Sequence, residues 1–311
     1  MPSGKILFTE NFHSSLGERL RAAGYDCDER AGITYDEVLN CIQDYAGIVV
    51  ATRIIVDRKL IDAATQLKFI ARAGSGMERI DVEYARSKNI RCINSPEGNA
   101  NSVAEHAVGL LIASFHNIVK SAAETSQREW KTEENRVHEL DGKTIGIIGY
   151  GNTGKAFAKK LRPFAMTILA YDKYLRNYGD EYATESNMAE IFAQSHIVSF
   201  HIPLTDETRF LVDRAYLQRF AHPFHLINTS RGKIIRHSDL LQMIKVGKVM
   251  SAACDVYENE NFTEQSEKEK NIFDELVETE KVIFTPHIAG KSFESKMKIA
   301  EVLVMKILSL E

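Results

Sequence analysis

The chain has 311 residues, 44% of them hydrophobic and 26% charged, a composition that suits a soluble globular protein with room for two domains. Its formal net charge of −4 is mild and gives no reason to expect nucleic acid or an anionic membrane as a partner. No apolar run approaches the roughly 20 residues of a bilayer span, and the N-terminus lacks the apolar core of a signal peptide. The four cysteines (Cys27, Cys41, Cys92, Cys254) stand apart with no CxxC pair, which points to reduced thiols in a cytoplasmic protein without a metal site.

Short β-rich runs alternate with helical patterns along the chain, the signature of parallel sheets with crossover helices. The first hundred residues predict strands at 5–8, 46–51, 69–72 and 90–93, with amphipathic helices at 14–23 and 57–64. A long helix is predicted to start near Ser102, because Ser102-Val-Ala-Glu105 has the form of a capping box. Its apolar stripe of Ala107, Leu110, Leu111, Phe115 and Val119 marks a buried packing helix; a hinge or a dimer contact is the other use of that position. Strands at 144–148, 166–171, 197–201, 225–229, 250–255 and 282–285 then alternate with helices at 152–161, 188–193, 213–220 and 238–246. Six parallel strands match the doubly wound dinucleotide-binding plan. Residues 258–271 read as a solvated polar loop. The amphipathic tail, 292–310, is too short for a domain and is expected to pack back onto the first one.

The strongest local signal is Thr144-Ile-Gly-Ile-Ile148 followed by Gly149-Tyr-Gly151-Asn152-Thr153-Gly154 and a helical run. A bare GxGxxG says little, but here the required strand precedes it and a helix follows. Gly149 permits the tight turn, Gly151 lets the backbone approach a pyrophosphate, and Gly154 allows close helix–strand packing, while the helix N-terminus attracts the anion. Asp172 closes the next predicted strand, where a carboxylate bonds the adenine ribose hydroxyls and repels a 2′-phosphate. NAD is therefore favoured over NADP, although Lys173 beside it pulls the other way.

In an open α/β sheet the ligand lies outside the carboxyl ends of the strands. Those ends carry His201-Ile202-Pro203, Thr229-Ser230-Arg231, Asp255 and Pro286-His287 in the second series. In the first they carry Thr52-Arg53, Arg72-Ala-Gly74-Ser75-Gly76 and Asn94-Ser-Pro-Glu-Gly98. The loop Gly74-Ser75-Gly76 can present several backbone N–H groups to a carboxylate. His201, with Ile202 and Pro203, reads as lining a cofactor pocket rather than moving a proton.

The ordered set Arg72-Ala-Gly-Ser-Gly76, Gly149-Tyr-Gly-Asn-Thr-Gly154, His201-Ile-Pro-Leu-Thr205, Asn228-Thr-Ser-Arg-Gly232 and Thr285-Pro-His287 resembles the D-isomer-specific 2-hydroxyacid dehydrogenase family, and within it the D-3-phosphoglycerate dehydrogenases. The resemblance runs over essentially the whole length. It implies two doubly wound parallel-sheet domains: a flavodoxin-like substrate-binding domain from residues 1–99 and 289–311, and an inserted Rossmann NAD-binding domain from residues 100–288. It also implies a homodimer built around the NAD-binding domain. The implied reaction is the NAD-dependent interconversion of a D-2-hydroxy acid and its 2-keto acid. D-3-phosphoglycerate and 3-phosphohydroxypyruvate, a step of serine biosynthesis, are the leading pair, and glyoxylate or hydroxypyruvate reduction is the alternative. A chain of this length is expected to lack the C-terminal regulatory domain of the longer phosphoglycerate dehydrogenases.

Such chemistry needs a cation for the carboxylate, a proton carrier for the carbonyl oxygen and a positioned nicotinamide. Arg231 supplies a two-pronged grip, and His287 is the proton carrier. A neighbouring carboxylate fixes an imidazole ring; both Glu258 and Glu260 are candidates, and Glu260 matches the family's glutamate. Asp255 matches the family's aspartate beside the nicotinamide. Ser75, Asn152, Thr153, Thr229, Ser230, Arg231, His287, Ala289 and Gly290 complete the expected cofactor set, and Arg53, Gly74, Ser75, Gly76, Arg231 and His287 the expected substrate set. Three positions depart from the family pattern: Asn261 stands where proline is usual after the glutamate, Arg236 where an acidic residue is common, and Lys291 where a small or hydroxylated one is. A basic residue used on substrate by the phosphoglycerate enzymes falls near Ala51 or Arg53. A rival reading of another class, an NADH-sensing, corepressor-like binding protein, shares the same triad.

Overall fold

The computed structural model describes residues 4–310; residues 1–3 and 311, the outermost ends of the expected substrate-binding domain, lie outside the described residues. In chain order its elements begin β1 (Lys5–Phe8), α1 (Ser14–Ala22), β2 (Asp26–Glu29), α2 (Tyr35–Cys41), β3 (Gly47–Val50), α3 (Arg58–Ala63), β4 (Phe69–Arg72), α4 (Val82–Ser87) and β5 (Arg91–Asn94). Helices α5 (Pro96–Phe115) and α6 (Ile118–Ser126) follow, then β6 (Thr144–Ile148), α7 (Asn152–Leu161), β7 (Thr167–Tyr171), β8 (Thr184–Glu185), α8 (Met188–Gln194) and β9 (Ile197–Phe200). The chain ends with α9 (Arg214–Gln218), β10 (Phe224–Asn228), α10 (His237–Lys245), β11 (Val249–Cys254), α11 (Glu267–Glu278), β12 (Val282–Phe284) and α12 (Phe293–Leu308). Two compact units result: Met1–Ala100 with Lys291–Glu311, and Asn101–Gly290.

The first unit is built on a five-stranded sheet of order β2-β1-β3-β4-β5 with every pairing parallel, the flavodoxin-like order. Alternation along each strand sends side chains to opposite faces. Leu7, Ile48, Val50 and Ile70 meet Val38, Leu60, Ile61 and Ala85 of α2, α3 and α4 on one face. Ile6, Phe8, Val49 and Phe69 meet Leu16 and Leu20 of α1 and Leu303, Val304 and Ile307 of α12 on the other. Strand β2 was not anticipated. Its sequence, Asp-Cys-Asp-Glu, buries only Cys27, and its carboxylates Asp28 and Glu29 pair with Lys5, Arg30 and Arg21, so an edge strand blunted by charge shows no apolar run.

The second unit holds a seven-stranded parallel sheet of order β12-β11-β10-β9-β6-β7-β8. Counted from β6, its first six strands stand in the order 3-2-1-4-5-6, so the strand order reverses between β6 and β9. Phe157, Ala158 and Leu161 of α7 pack with Ala104, Ala107, Leu111 and Phe115 of α5 against Ile145, Ile147 and Ile168. Ile191, Leu217, Leu240, Ile244 and Leu276 of α8 to α11 cover the other face. The two-residue β8 makes the sheet one strand larger than the six expected.

Helix α5 starts at Pro96, not near Ser102, because proline's fixed φ suits a first turn. The expected capping box therefore lies inside the helix: Ser102 Oγ donates to the Ala289 carbonyl at 2.6 Å, and Glu105 takes Asn101 and Lys160. Asn117, in the left-handed region at φ 48°, separates α5 from α6. Val119 consequently leaves the buried stripe and stands exposed. No single described helix is long and apolar enough to cross a membrane.

The stretch expected as a loop to residue 271 becomes helix at Glu267, where Ser266 and Glu269 form a reciprocal capping box. Its charged face hid it, since Leu276 alone is fully buried. Ser266→Ala should lower stability by about 1 kcal/mol, read as a shift in the denaturation midpoint at unchanged slope.

Candidate active site and dinucleotide cradle

At the reversal point, Gly149 adopts φ +94°, and a Cβ there would stand 2.4 Å from the His201 carbonyl oxygen. Gly154 packs so closely that its Cβ would meet the Gly149 carbonyl oxygen at 2.0 Å. In front of Gly151, by contrast, nothing lies within 4 Å of a built Cβ. That open ground faces the first turn of α7, whose leading N–H groups have no intrahelical acceptor. Asp172 follows β7 and accepts N–H groups from Tyr150 (2.9 Å), Tyr174 (2.9 Å) and Leu175 (3.1 Å). Three bonds fix the carboxylate at the mouth of the turn and leave acceptor capacity for a sugar hydroxyl. Thr229 Oγ1 is buried and without a partner among the described residues. Open space, an anion-seeking helix end, a placed carboxylate and an orphaned hydroxyl together fit a dinucleotide, with Gly149, Gly151, Asn152, Thr153 and Gly154 at the phosphates and Asp172 at the ribose.

His201 caps β9 with its Nε2 2.8 Å from Ser199 Oγ and its ring 5.2 Å from that of Phe157. Burial pushes its pKa down to about 3, so it stays neutral at physiological pH. Ile202 packs against the core of the second unit, and the exposed Pro203 takes Thr208 Oγ1 on its carbonyl. Beyond β10, Asn228 Oδ1 accepts the Ser230 N–H (3.0 Å) and its Nδ2 donates to the Arg231 carbonyl (3.1 Å). Ser230 Oγ reaches the Phe200 carbonyl at 2.6 Å. This knotted turn leaves Arg231 extended and half-buried, one guanidinium N–H on the Ser230 carbonyl.

Asp255, 1% exposed at the end of β11, is the hub of the opposite side. Its Oδ1 accepts Thr285 Oγ1 (2.6 Å) and the Ile288 N–H (2.9 Å), and its Oδ2 accepts the Ala289 N–H (2.8 Å). His106 on α5 places Nε2 2.9 Å from Thr285 Oγ1 and 3.4 Å from Asp255 Oδ1. Burial works against the charge, yet the bonds from His106, Thr285, Ala289 and Ile288 outweigh it and hold the carboxyl below its ordinary range. The segment so gripped contains His287 in a left-handed conformation, φ 54°, which a non-glycine residue keeps only where its surroundings over-determine it. Its N–H donates to the Asp255 carbonyl at 2.8 Å. Gly290, three residues after His287, closes the second unit.

The two glutamates expected near His287 separate cleanly. Glu258 accepts the His237 N–H at the start of α10, with His237 Nδ1 3.3 Å away. Glu260 Oε2 lies 2.9 Å from His287 Nδ1. Where the family has proline, Asn261 is held by other means: Asn259 Oδ1 accepts the Asn261 N–H (3.1 Å) and Asn261 Oδ1 accepts Thr263 Oγ1 (2.7 Å). Gln265 ties the Asn259 carbonyl at 2.8 Å, and Phe262 lies against Tyr257 and Phe273.

In the first unit, the Gly74 N–H is spent on Ser95 Oγ (3.0 Å), and Ser75 Oγ donates to Asn99 Oδ1 (3.0 Å). The N–H groups of Ser75 and Gly76 have no partner among the described residues. Arg53 is exposed with its guanidinium on the Gly32 carbonyl (3.1 Å). Glu10, which sequence reading passed over, accepts the N–H groups of Ala51, Thr52 and Arg53 on one oxygen at 2.7–3.1 Å. Its signal was weak: a lone carboxylate just past a strand. His106 was likewise set aside, because its partners lie 149 and 179 positions away (255 − 106 and 285 − 106).

Strand order, glycine turn and ribose-side carboxylate define a dinucleotide-binding protein of the doubly wound class. Residues 108–289 match the family model described as D-isomer specific 2-hydroxyacid dehydrogenase, NAD binding domain. The chain belongs to that family, and NAD is its cofactor. A D-3-phosphoglycerate dehydrogenase of Archaeoglobus fulgidus is 30% identical over 308 residues, 98% of this chain and 57% of the relative. A hydroxypyruvate reductase of Thermotoga maritima is 34% identical over 274 residues, 88% of this chain and 87% of the relative. The crystal structure of a glyoxylate reductase from Paecilomyes thermophila matches with a TM-score of 0.87 at 25% identity, over 99% of this chain and 95% of that one. This chain thus spans little more than half the length of the phosphoglycerate dehydrogenase it matches.

Asp255→Asn would turn an amide N–H₂ toward groups that are themselves donors, and should cost about 1–3 kcal/mol at neutral pH. A depressed carboxylate contributes stability above its unfolded pKa and loses it as pH falls through the folded value. The gap between wild type and variant should therefore be full above about pH 5 and narrow below about pH 4, measured by denaturation across that range.

Proposed function

We propose that this chain interconverts a D-2-hydroxy acid and its 2-keto acid, with D-3-phosphoglycerate and 3-phosphohydroxypyruvate as the leading pair. The observation that carries the reading is the 2.9 Å pairing of Glu260 with His287 Nδ1 on a turn gripped by Asp255. When bound, the nicotinamide supplies or takes the hydride. Glu260 fixes the His287 ring and its tautomer, so that Nε2, without a partner among the described residues, holds or takes the proton at the substrate oxygen. Arg231 grips the substrate carboxylate in a two-pronged bond. Asp255 acts on the reaction through the His287 turn. Taken by itself, the first unit offers the N–H groups of Ser75 and Gly76 to an anion and Arg53 to a phosphate.

The relative from Archaeoglobus supports the phosphorylated substrate; the one from Thermotoga, at higher identity, supports hydroxypyruvate. The four cysteines are all free thiols, which suits a reducing compartment, the cytoplasm. NADH oxidation on phosphohydroxypyruvate, hydroxypyruvate and glyoxylate decides the substrate, and NADH binding with no turnover of any would favour the sensor reading instead. His287→Ala should lower kcat by at least about a hundredfold with NADH affinity nearly intact. Glu260→Gln should lower kcat less, and Arg231→Ala should act mainly on KM for the keto acid. Equal losses of turnover and NADH affinity in His287→Ala would remove His287 from the chemistry.

We also propose a homodimer through the second unit. Helix α6 buries none of its residues, and Ile118, Val119, Trp130 (84% exposed) and Val137 all stand exposed on that helix and the segment after it, an excess of exposed apolar side chains of the kind that marks protein interfaces. Light scattering should give twice the chain mass for wild type and a shift toward monomer for Trp130→Ser.

A further inference from the structure

Two cations follow Asp172 in the turn after β7, Lys173 and Arg176, and both are of the kind that grips an extra phosphate on an adenosine ribose. Both are engaged elsewhere. Lys173 Nζ lies 2.6 Å from Glu207 Oε2, and Tyr174 donates its hydroxyl to the same oxygen at 2.8 Å. Lys173 also stands 5.6 Å from the centre of the Tyr174 ring. The Arg176 guanidinium is folded onto the carbonyls of Lys173 (3.1 Å) and Leu175 (2.7 Å).

Glu207 arrives from a distant part of the chain, the segment after β9. Strands β7 and β9 flank β6 in the sheet, so the clamp ties together the two loops on either side of the glycine turn. Its hydrogen bond to Lys173, reinforced by Tyr174, holds the Glu207 carboxyl below its ordinary range and the Lys173 ammonium above its own. Both partners are therefore charged across the physiological range.

We propose that Glu207 is a second determinant of NAD selectivity: by occupying Lys173 and Tyr174 it denies a 2′-phosphorylated dinucleotide the cation that would offset repulsion by Asp172. An exposed ion pair adds little to stability. Its value here is the removal of an attraction for the wrong ligand, which is how specificity is often built. The inference rests on the assignment of NAD to the second unit.

Direct calorimetric binding of NADH and NADPH to the full chain tests it, using wild type, Asp172→Ser, Asp172→Ser with Glu207→Gln, and that double variant with Lys173→Met added. Wild type should bind NADH and prefer it. Adding Glu207→Gln to Asp172→Ser should raise the NADPH-to-NADH affinity ratio about fivefold, and Lys173→Met should cancel that gain. An unchanged ratio, or a gain that survives Lys173→Met, overturns the proposal. Failure of wild type to bind NADH overturns the cofactor assignment instead, so the two failures are distinguishable.

Discussion

A single buried carboxylate organises the side of the second unit on which the candidate chemistry sits. Asp255 receives two backbone N–H groups and a threonine hydroxyl, with a histidine behind them. Removing a charge from water is costly unless such donors replace the lost solvation, so burial and bonding are inseparable here. The same donors belong to the turn that carries His287. A left-handed histidine would relax if the turn were free; gripped at Thr285, Ile288 and Ala289 it has nowhere to relax to. Ser102 and His106, one turn apart on α5, brace the same segment at Ala289 and Thr285.

The opposite side of the cradle follows a different logic. There the backbone does the work: Gly149 and Gly154 let strand β6, helix α7 and the end of β9 approach more closely than any Cβ allows. Asp172, which takes the Tyr150 N–H of the turn, is oriented by three backbone N–H groups. His201, beside it, is held neutral by burial. Polar groups at the edge of the cradle are engaged with one another, as Glu207 is with Lys173 and Tyr174.

Much of this was legible in the chain. The strands of both sheets announce themselves where they are buried on two faces, as β3 and β9 are, because such strands are largely apolar. The glycine turn is legible because its spacing answers a backbone requirement independent of context. Strands β2 and β8 were hidden because edge positions need no apolar run, and α11 because a solvated helix shows mostly its charged face. The start of α5 was misplaced because a capping box in sequence is only a spacing, and Ser102 found a better acceptor on a segment 187 positions away.

The sequence by itself determined the periodicities, the glycine motif, the acidic residue after β7 and the identity of the residues at the strand ends, since each answers to local backbone geometry. Tertiary structure alone decided what Glu258 bonds instead of His287, what braces the His287 turn, and that Glu10 occupies the N–H groups beside Arg53. Those outcomes turn on where separate segments meet in space. The family resemblance singles out Glu260, but only the fold shows Glu258 turned toward α10 while Glu260 meets the histidine.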